Sequence, residues 1–236
     1  MKLILSTSKS KDGSMGLSTN LNSPESIVNR TKFFNKLKIA PTQTIRAQLA
    51  HGATVKKVNK IPSNDFVSEC DALVTNRPNI FLYILSADCF PVFFYDLKVG
   101  VIGIAHAGWR GVIKNIVPKT VSSLEKSYGI NLGNLKVVIG PGIRKCHFEI
   151  KEDVLPNFSK CPQFIVRSKN KIFVDLAGII KGQLYKAGIR PKNITDKNKC
   201  TFHLKQDYFS YRRDHNEPNP RGLGNMLSVI GSKNNE

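Results

Sequence analysis

The sequence lacks several patterns that would assign it to a familiar functional class. No C-x-x-C pair occurs among its five cysteines, which excludes a zinc ribbon and a thioredoxin-like redox pair. No segment approaches the roughly 18 apolar residues of a membrane span, and the first apolar run, Lys2–Ser6, is too short for a signal peptide. The cysteines are unclustered and odd in number. These absences favour a cytoplasmic protein that uses neither disulfides nor a membrane.

Acidic residues are scarce as well. The chain has 36 lysines and arginines against 17 aspartates and glutamates, a net charge of +19. The basic residues form no run of five or six, and no helix-turn-helix, zinc-finger or RNA-recognition pattern occurs, so specific nucleic-acid binding is not expected. The charge instead raises the local concentration of anionic substrates such as phosphate.

Short β-rich runs and helical patterns follow one another without strict alternation, which predicts a layered α/β or α+β domain over residues 1–236. Helices are predicted at Ser26–Leu37, Val112–Tyr128 and Asp175–Ala187. Loops are predicted at Lys192–Lys199 and His215–Gly224. The predicted strands are Lys2–Ser6, Thr44–Leu49, Ala72–Thr75, Phe81–Ser86, Val92–Tyr95, Val99–Ala105, Leu135–Ile139, Lys171–Val174 and Met226–Ile230.

Two imidazoles and one thiol stand next to apolar, strand-like runs. Cys89 follows Phe81–Ser86, and Pro91 is expected to turn the chain there. His106 follows Val99–Ala105, and His51 has a similar setting upstream. Because the ends of neighbouring strands bring distant side chains together, these three can hold a transition metal and leave a fourth position open. The alternative is an inert buried thiol and two ordinary polar histidines.

The remaining histidines and cysteines give weaker signals. Because His147 directly follows Cys146, these two would bind a metal ion together only as a strained local pair. His203 and His215 lie in hydrophilic surroundings. A structural role is expected for the cysteines without a nearby histidine, which are Cys70, Cys161 and Cys200.

Two segments are suited to an anionic or purine-containing ligand. Gly108 to Gly111 leads into the predicted helix at Val112, where backbone N–H groups and Arg110 favour a phosphate, although the glycines alone would also make a tight turn. The block Tyr208–Asp214 contains Tyr211, Arg212 and Arg213, which are candidates for stacking on a purine and for holding phosphate. The alternative there is an Arg213–Asp214 surface ion pair.

Taken together, these blocks resemble the YfiH-like family of bacterial purine nucleoside phosphorylases, also described as laccase-like or multicopper polyphenol oxidoreductases. The matching segments cover most of residues 45–230 in the expected order. They are His51–Val55, Asp71–Thr75, Ala87–Pro91, Ala105–Gly111, Ile139–Ile143, Phe148–Glu149 and Phe209–Asp214.

The resemblance implies an α/β/β/α layering with mixed sheets and a zinc ion on His51, Cys89 and His106. It implies phosphorolysis of adenosine, inosine or guanosine, and possible use of methylthioadenosine, to the base and ribose 1-phosphate. Related proteins also deaminate adenosine. Because the H-x-E and P-C-x-x-C signature of nucleobase deaminases is absent, deamination here would need another acid/base group, for which Asp88 and Glu149 are candidates.

Three other functions remain open at this stage, one of which is that of a non-enzymatic basic binding protein. The family's fold resembles bacterial toxin deamidases, so Cys89 and His106 would alternatively form the nucleophile and base of a metal-free hydrolase. Copper is the minor alternative to zinc, but five histidines are too few for the copper clusters of a laccase.

The chain departs from the family at three places near the expected pocket. Leu49 stands where glutamine is often found, Asn225 replaces the arginine of a Gly-Arg pair, with Arg221 nearby, and the segment at Met15–Asn20 is shortened. Substrate preference is therefore less well defined by the sequence than metal binding.

Overall fold

The computed structural model describes residues 1–16, 23–215 and 223–234. The strands are β1 Lys2–Thr7, β2 Thr44–Ala47, β3 Val55–Lys57, β4 Phe66–Val67, β5 Ala72–Thr75, β6 Phe81–Ser86, β7 Phe90–Asp96, β8 Val101–Ala107, β9 Lys136–Ile139, β10 Glu149–Ile150, β11 Ile165–Ser168, β12 Lys171–Val174, β13 Ile194–Asp196 and β14 Met226–Lys233. The helices are α1 Pro24–Lys36, α2 Trp109–Ile113, α3 Ile116–Tyr128, α4 Leu176–Lys186 and α5 Tyr211–Asp214. Within the described residues, no helix has the length and apolar character needed to cross a membrane.

The strands form three sheets. The largest has the order β13-β9-β7-β8-β5-β3, and the second has the order β1-β14-β6-β2-β4. Both are mixed: β7 is antiparallel to β8 and β9, whereas β13 is parallel to β9 and β2 is parallel to β6. A small antiparallel sheet, β10-β12-β11, lies outside these two.

Three buried clusters define the layers. Phe33 and Phe34 of α1 share a cluster with Phe81 and Tyr83 of β6, so α1 covers the five-stranded sheet. A second cluster joins Phe93 and other residues of the six-stranded sheet to residues of the five-stranded sheet, so the two sheets face each other. The third cluster packs α3 and α4 on the outer face of the six-stranded sheet. The chain therefore has the α/β/β/α layering that the resemblance implied.

Strand β7 of the six-stranded sheet shows why the sequence there is apolar without interruption. Successive side chains of a strand point to opposite faces. Val92 and Phe94 accordingly join the cluster under the helices, whereas Phe93 joins the cluster between the sheets. Both faces are covered, so alternation with polar residues is absent.

Three local predictions were wrong. The helix predicted at Val112–Tyr128 is broken into α2 and α3, because Asn115 adopts a left-handed conformation with φ 63° and caps α3. Pro91 does not turn the chain but lies inside β7, opposite His106. The loop predicted at Lys192–Lys199 contains β13. The loop predicted at His215–Gly224 lies largely outside the described residues.

An ion pair connects the segment after β9 to the end of β13. Arg144 is 9% exposed, and its two terminal nitrogens donate to the two carboxylate oxygens of Asp196, with Nη1 to Oδ2 at 2.9 Å. Lys181 of α4 adds a contact of 3.3 Å to the same carboxylate. Burial alone would raise the pKa of Asp196, but the hydrogen bonds from Arg144 and from the Asn198 backbone outweigh it and lower the pKa to about 2.

Replacing this carboxylate with an amide tests the contribution of the ion pair. Since the folded-state pKa of Asp196 lies below the unfolded-state value, the carboxylate stabilises the fold above about pH 4, and this contribution disappears as the pH falls towards 2. We expect Asp196→Asn to lower the free energy of unfolding by about 1–2 kcal/mol at pH 7, and the difference from wild type to vanish near pH 2.

Urea unfolding of both proteins across this pH range measures the difference. Asp153→Asn, at an exposed aspartate, is the control and should follow the wild type at every pH. A difference for Asp196→Asn that stays constant with pH would contradict the assigned charge interaction.

Candidate active site

Asp71, directly before β5, fixes the backbone at two of the predicted metal ligands. It is fully buried. The backbone N–H of His106 donates to the carbonyl oxygen of Asp71 at 2.7 Å. The backbone N–H of Gly52 donates to Asp71 Oδ2 at 2.9 Å. Because Gly52 follows His51, one aspartate holds the two histidine-bearing segments side by side.

The turn between β6 and β7 places Cys89 beside His106. Asp88 has φ 81°, in the left-handed region, so the chain turns there and β7 begins at Phe90. Phe90 and Pro91 pair with Ala107 and His106 of β8. The start of β7 and the end of β8 are therefore neighbours, and Cys89 lies next to this edge.

Glycines allow the close approaches around these side chains. A Cβ atom at Gly108 would lie 2.8 Å from Cys89 Sγ and 3.3 Å from His106 Cε1, so any side chain there would fill the space between thiol and imidazole. A Cβ atom at Gly111 would lie 2.9 Å from the Gly52 carbonyl oxygen. Helix α2 can therefore pack directly against the segment that carries His51.

The three predicted ligands lie in one neighbourhood but do not form a closed site. The rings of His51 and His106 are 5.3 Å apart between centroids and nearly perpendicular, at 88°. His51 is exposed, Cys89 is half-buried and His106 is buried. Within residues 1–16, 23–215 and 223–234, the group of three whose ligand atoms all lie within 4.8 Å of one another is a different one, Cys146, His147 and Cys200.

Burial sets the protonation of the two inner side chains. It lowers the pKa of His106 to about 3, with His51 adding to the effect, so the imidazole is neutral and a ring nitrogen has a free lone pair at pH 7. Burial also raises the pKa of Cys89 to about 12; the Asp88 charge raises it further and Arg110 opposes it. A thiol in this setting becomes a thiolate when a cation takes the place of its proton.

The donor types of His51, Cys89 and His106 fit a zinc ion. Two imidazoles and one thiolate are ligands that zinc accepts at a site with an open fourth position. Asp71 Oδ1 is buried and has no hydrogen-bond partner among the described residues, and a carboxylate beside ligating histidines is the usual partner for the ring N–H that faces away from the metal. The same donor set would also accept copper.

Asp88 holds the C-terminal block in place through its carboxylate. Thr201 Oγ1 donates to Oδ1 at 2.6 Å, and Ser210 Oγ and the Arg212 backbone N–H donate to Oδ2 at 3.0 and 2.7 Å. Burial raises the pKa of this carboxyl, and the hydrogen bonds from Arg212, Thr201 and Ser210 oppose the rise. Its donors come from the segment 201–212, so its visible role is to position that segment.

Glu149, the other candidate acid/base group, is half-exposed at the start of β10. Lys171 Nζ lies 3.0 Å from its Oε2. Its carboxylate is thus tied to the small outer sheet.

The Arg213 side chain is bound to neighbouring groups of the protein. Its Nε and Nη2 donate to the two carboxylate oxygens of Asp214 at 2.7 and 3.0 Å. Nη1 donates to the carbonyl oxygens of Thr201 and Phe202, and Nη2 also donates to that of Tyr208. All five N–H groups are used within the protein, so holding phosphate, which stays a prediction for Arg213, would require it to give up some of these bonds. The alternative, a surface ion pair, is wrong, because the two side chains are only 12% and 6% exposed.

The other three candidate substrate residues differ in exposure. Arg212 is half-buried, and its Nη1 donates to the Glu149 carbonyl oxygen at 2.7 Å. Tyr211 is 55% exposed and stacks on His215 with ring centroids 4.8 Å apart. Arg110 is exposed in the first turn of α2, and its guanidinium lies 4.4 Å from the centre of the Trp109 ring. Arg110 and Tyr211 thus keep groups that a ligand can reach.

A second cluster of metal-binding side chains was missed by sequence reasoning. His147 Nδ1 lies 3.1 Å from Cys146 Sγ and 3.7 Å from Cys200 Sγ, so the expectation that Cys200 has no histidine partner is wrong. An isolated parallel bridge between Gly142 and Cys200 brings the two segments together. This group could hold a metal ion.

The departures from the family pattern have structural consequences where they are described. Asn225 Nδ2 donates to the Gly16 carbonyl oxygen at 2.5 Å, so this residue fastens the N-terminal segment to β14. Leu49 is half-buried against the cluster between the sheets. Residues 17–20 and Arg221 lie outside the described residues.

Comparison with known proteins identifies the family of this chain. Residues 5–233 match the family described as multi-copper polyphenol oxidoreductase laccase. The chain is 32% identical to a purine nucleoside phosphorylase of Deinococcus radiodurans over 86% of this chain and 76% of that protein. It is 30% identical to purine nucleoside phosphorylase YlmD of Geobacillus stearothermophilus over 93% of this chain and 83% of the relative.

Solved structures share the fold. The crystal structure of the hypothetical protein YfiH of Bacillus licheniformis superposes with a TM-score of 0.88 at 28% identity, covering 98% of this chain and 93% of the other. YlmD from Geobacillus stearothermophilus gives a TM-score of 0.89 at 25% identity, covering 98% and 92%. The chain therefore belongs to the multi-copper polyphenol oxidoreductase laccase family, the YfiH-like group that includes proteins named purine nucleoside phosphorylase.

Proposed function

We propose that this chain is a zinc-dependent purine nucleoside phosphorylase that converts adenosine, inosine or guanosine and phosphate to the free base and ribose 1-phosphate. The observation that supports it is that the start of β7 and the end of β8 bring Cys89 next to His106, whose ring lies 5.3 Å from that of His51, with the exposed Arg110 in the helix that follows. The purine nucleoside substrates are suggested by the names of the relatives at about 30% identity.

In this reaction a phosphate oxygen bonds to the anomeric carbon as the bond from that carbon to the purine nitrogen breaks. The departing nitrogen takes up the proton that hydrogen phosphate loses. The protein accelerates such a step mainly by positioning the reactants and stabilising charge. A zinc ion held by His51, Cys89 and His106 would supply a fixed positive charge with one open coordination position.

The chain's own residues account for the remaining tasks. Arg110 holds phosphate, because it is exposed, it lies in α2 directly after the site, and its charge acts on Cys89. Tyr211 offers an exposed ring for stacking on the purine. Asp88 positions the segment that carries Tyr211 through its bonds to Ser210 and Arg212.

One assay tests this function directly. The pure protein is incubated with adenosine with and without phosphate, and the products are separated by chromatography. Adenine and ribose 1-phosphate should form only when phosphate is present. Inosine formed in either condition would indicate deamination. The assay is repeated with inosine and guanosine, and the absence of phosphorolysis for all three nucleosides would contradict the proposal.

Replacing a metal ligand should abolish both metal binding and phosphorolysis. We expect His106→Ala to lose bound zinc and to reduce kcat/KM by more than the roughly 10–100-fold that follows loss of a group supporting a ligand. Because His106 is buried, the exposed His51→Ala is the variant that leaves the core intact, and it should show the same loss.

Zinc and copper content of protein purified without added metal, together with steady-state rates, measure this outcome. Full metal content in both variants, corrected for any metal on Cys146 and Cys200, would refute the ligand assignment. Loss of activity with iodoacetamide but not with a chelator would instead favour the metal-free Cys89–His106 hydrolase, and stoichiometric copper would favour the oxidoreductase.

Removing the guanidinium of Arg110 should weaken phosphate binding without affecting zinc binding. One charge-assisted hydrogen bond contributes about 1.5–3 kcal/mol, so we expect Arg110→Ala to raise KM for phosphate about 10–100-fold and to leave zinc content unchanged. Lys114→Ala removes an exposed charge at the end of α2 and serves as the matched control. Equal phosphate dependence in the two variants would exclude Arg110 from this role.

A further inference from the structure

Cys146, His147 and Cys200 form a compact cluster that the proposed reaction does not use. Cys146 Sγ lies 3.7 Å from Cys200 Sγ, and His147 Nδ1 lies 3.1 and 3.7 Å from these two sulfurs. Cys146 is exposed, His147 is half-exposed and Cys200 is buried. The three ligand atoms therefore surround a point that solvent can reach from one side.

The triangle has the size that a tetrahedral zinc ion requires. Two thiolates bound at about 2.3 Å to such an ion lie about 3.8 Å apart, and a thiolate and an imidazole nitrogen lie about 3.6 Å apart. The observed separations of 3.7, 3.7 and 3.1 Å are all within about 0.5 Å of these values. Little movement is needed to admit an ion.

The surroundings hold two of the three side chains, His147 and Cys200, in this arrangement. The ring of His147 stacks on Phe202, with centroids 4.1 Å apart and planes inclined by 19°. Cys200 is fixed by its bridge to Gly142, and the Thr201 backbone N–H donates to the Gly142 carbonyl oxygen at 3.2 Å. The cluster is therefore organised by contacts that do not depend on a metal.

We infer that Cys146, His147 and Cys200 bind a second divalent transition-metal ion of the zinc class, at a site separate from His51, Cys89 and His106. On binding, each thiol releases its proton to solvent and forms a metal–sulfur bond, the neutral imidazole contributes its Nδ1 lone pair, and a water molecule completes the tetrahedron. No oxidant or reductant is involved.

Such an ion would join two segments that support the proposed active site. One is the turn after β9 that contains Cys146, and the other is the loop that contains Cys200 and Thr201. Thr201 donates to the Asp88 carboxylate, and its carbonyl oxygen accepts from Arg213. The metal site thus stabilises the framework that carries Tyr211, and it acts by positioning rather than by contact with substrate.

The test uses His51→Ala as the background, so that the first site does not contribute metal. Protein purified with a thiol reductant is titrated with zinc against a competing chelator. We expect the background variant to bind one equivalent and the added Cys146→Ser to weaken zinc binding by at least about 10–100-fold. Cys161→Ser, at a half-buried cysteine outside the cluster, should bind zinc as the background does.

Cobalt substitution identifies the ligands spectroscopically. Cobalt on two thiolates gives intense sulfur-to-metal charge-transfer bands, which should weaken in Cys146→Ser and be unchanged in Cys161→Ser. Because Cys146 is exposed, its replacement does not disturb the core, whereas Cys200→Ser is the companion variant at the buried ligand.

Three results would overturn the inference. They are no zinc binding in the His51→Ala background, equal zinc affinity with and without Cys146, and a Cys146–Cys200 disulfide in protein kept under reductant. Each result is independent of whether the chain cleaves nucleosides. Loss of phosphorolysis in the His51→Ala variant with an intact second metal site would separate the two proposals.

Discussion

The candidate site depends on the hydrogen bonds of one buried aspartate. Asp71 accepts the backbone N–H groups of His106 and of Gly52, and it therefore fixes the histidine on β8 relative to the loop that carries His51. The antiparallel register of β7 and β8 then brings Cys89 to the same edge. The packing of α2 against Gly52 and the bonds from the Asp71 and Ala72 backbone N–H groups to the Thr54 carbonyl oxygen hold the same loop.

The polar residues around this edge are of two kinds: those whose hydrogen bonds are made within the protein, and those that a ligand can reach. The sequence analysis named Asp88 as a candidate acid/base group and Arg213 as a candidate for holding phosphate. In the structure, their hydrogen-bonding capacity is taken up by Thr201, Ser210, Arg212, Asp214 and backbone carbonyl groups. Arg110 and Tyr211 remain accessible to a ligand. Among these candidates, the free groups are therefore the ones that the proposed function uses for substrate, and the bonded ones hold the loops around the site.

Sequence reasoning predicted the features that depend on local apolar patterns. The strands at Ala72–Thr75 and Phe81–Ser86 and the capped helix α4 follow from buried runs and a helix-start aspartate, Asp175. Sequence reasoning did not predict features that depend on contacts between residues far apart in the chain. Strands of two or three residues, such as Phe66–Val67, have too little pattern of their own, and the break between α2 and α3 depends on a left-handed Asn115 inside an amphipathic sequence. The proximity of His147 and Cys200 arises from a single bridge at Gly142.

Asp88 is the residue through which the two candidate metal sites are physically connected. It precedes Cys89 in the chain, and its backbone carbonyl oxygen accepts from Ile143 at 2.8 Å, in the segment that leads to Cys146. Its carboxylate accepts from Thr201, the neighbour of Cys200. Since protein interiors are closely packed and buried hydrogen bonds are costly to leave unmade, these contacts restrict the position of Asp88 relative to both segments. They link Asp88 to a neighbour of the outer cluster on each side, and the pairing of β7 with β9 links the same regions through the sheet.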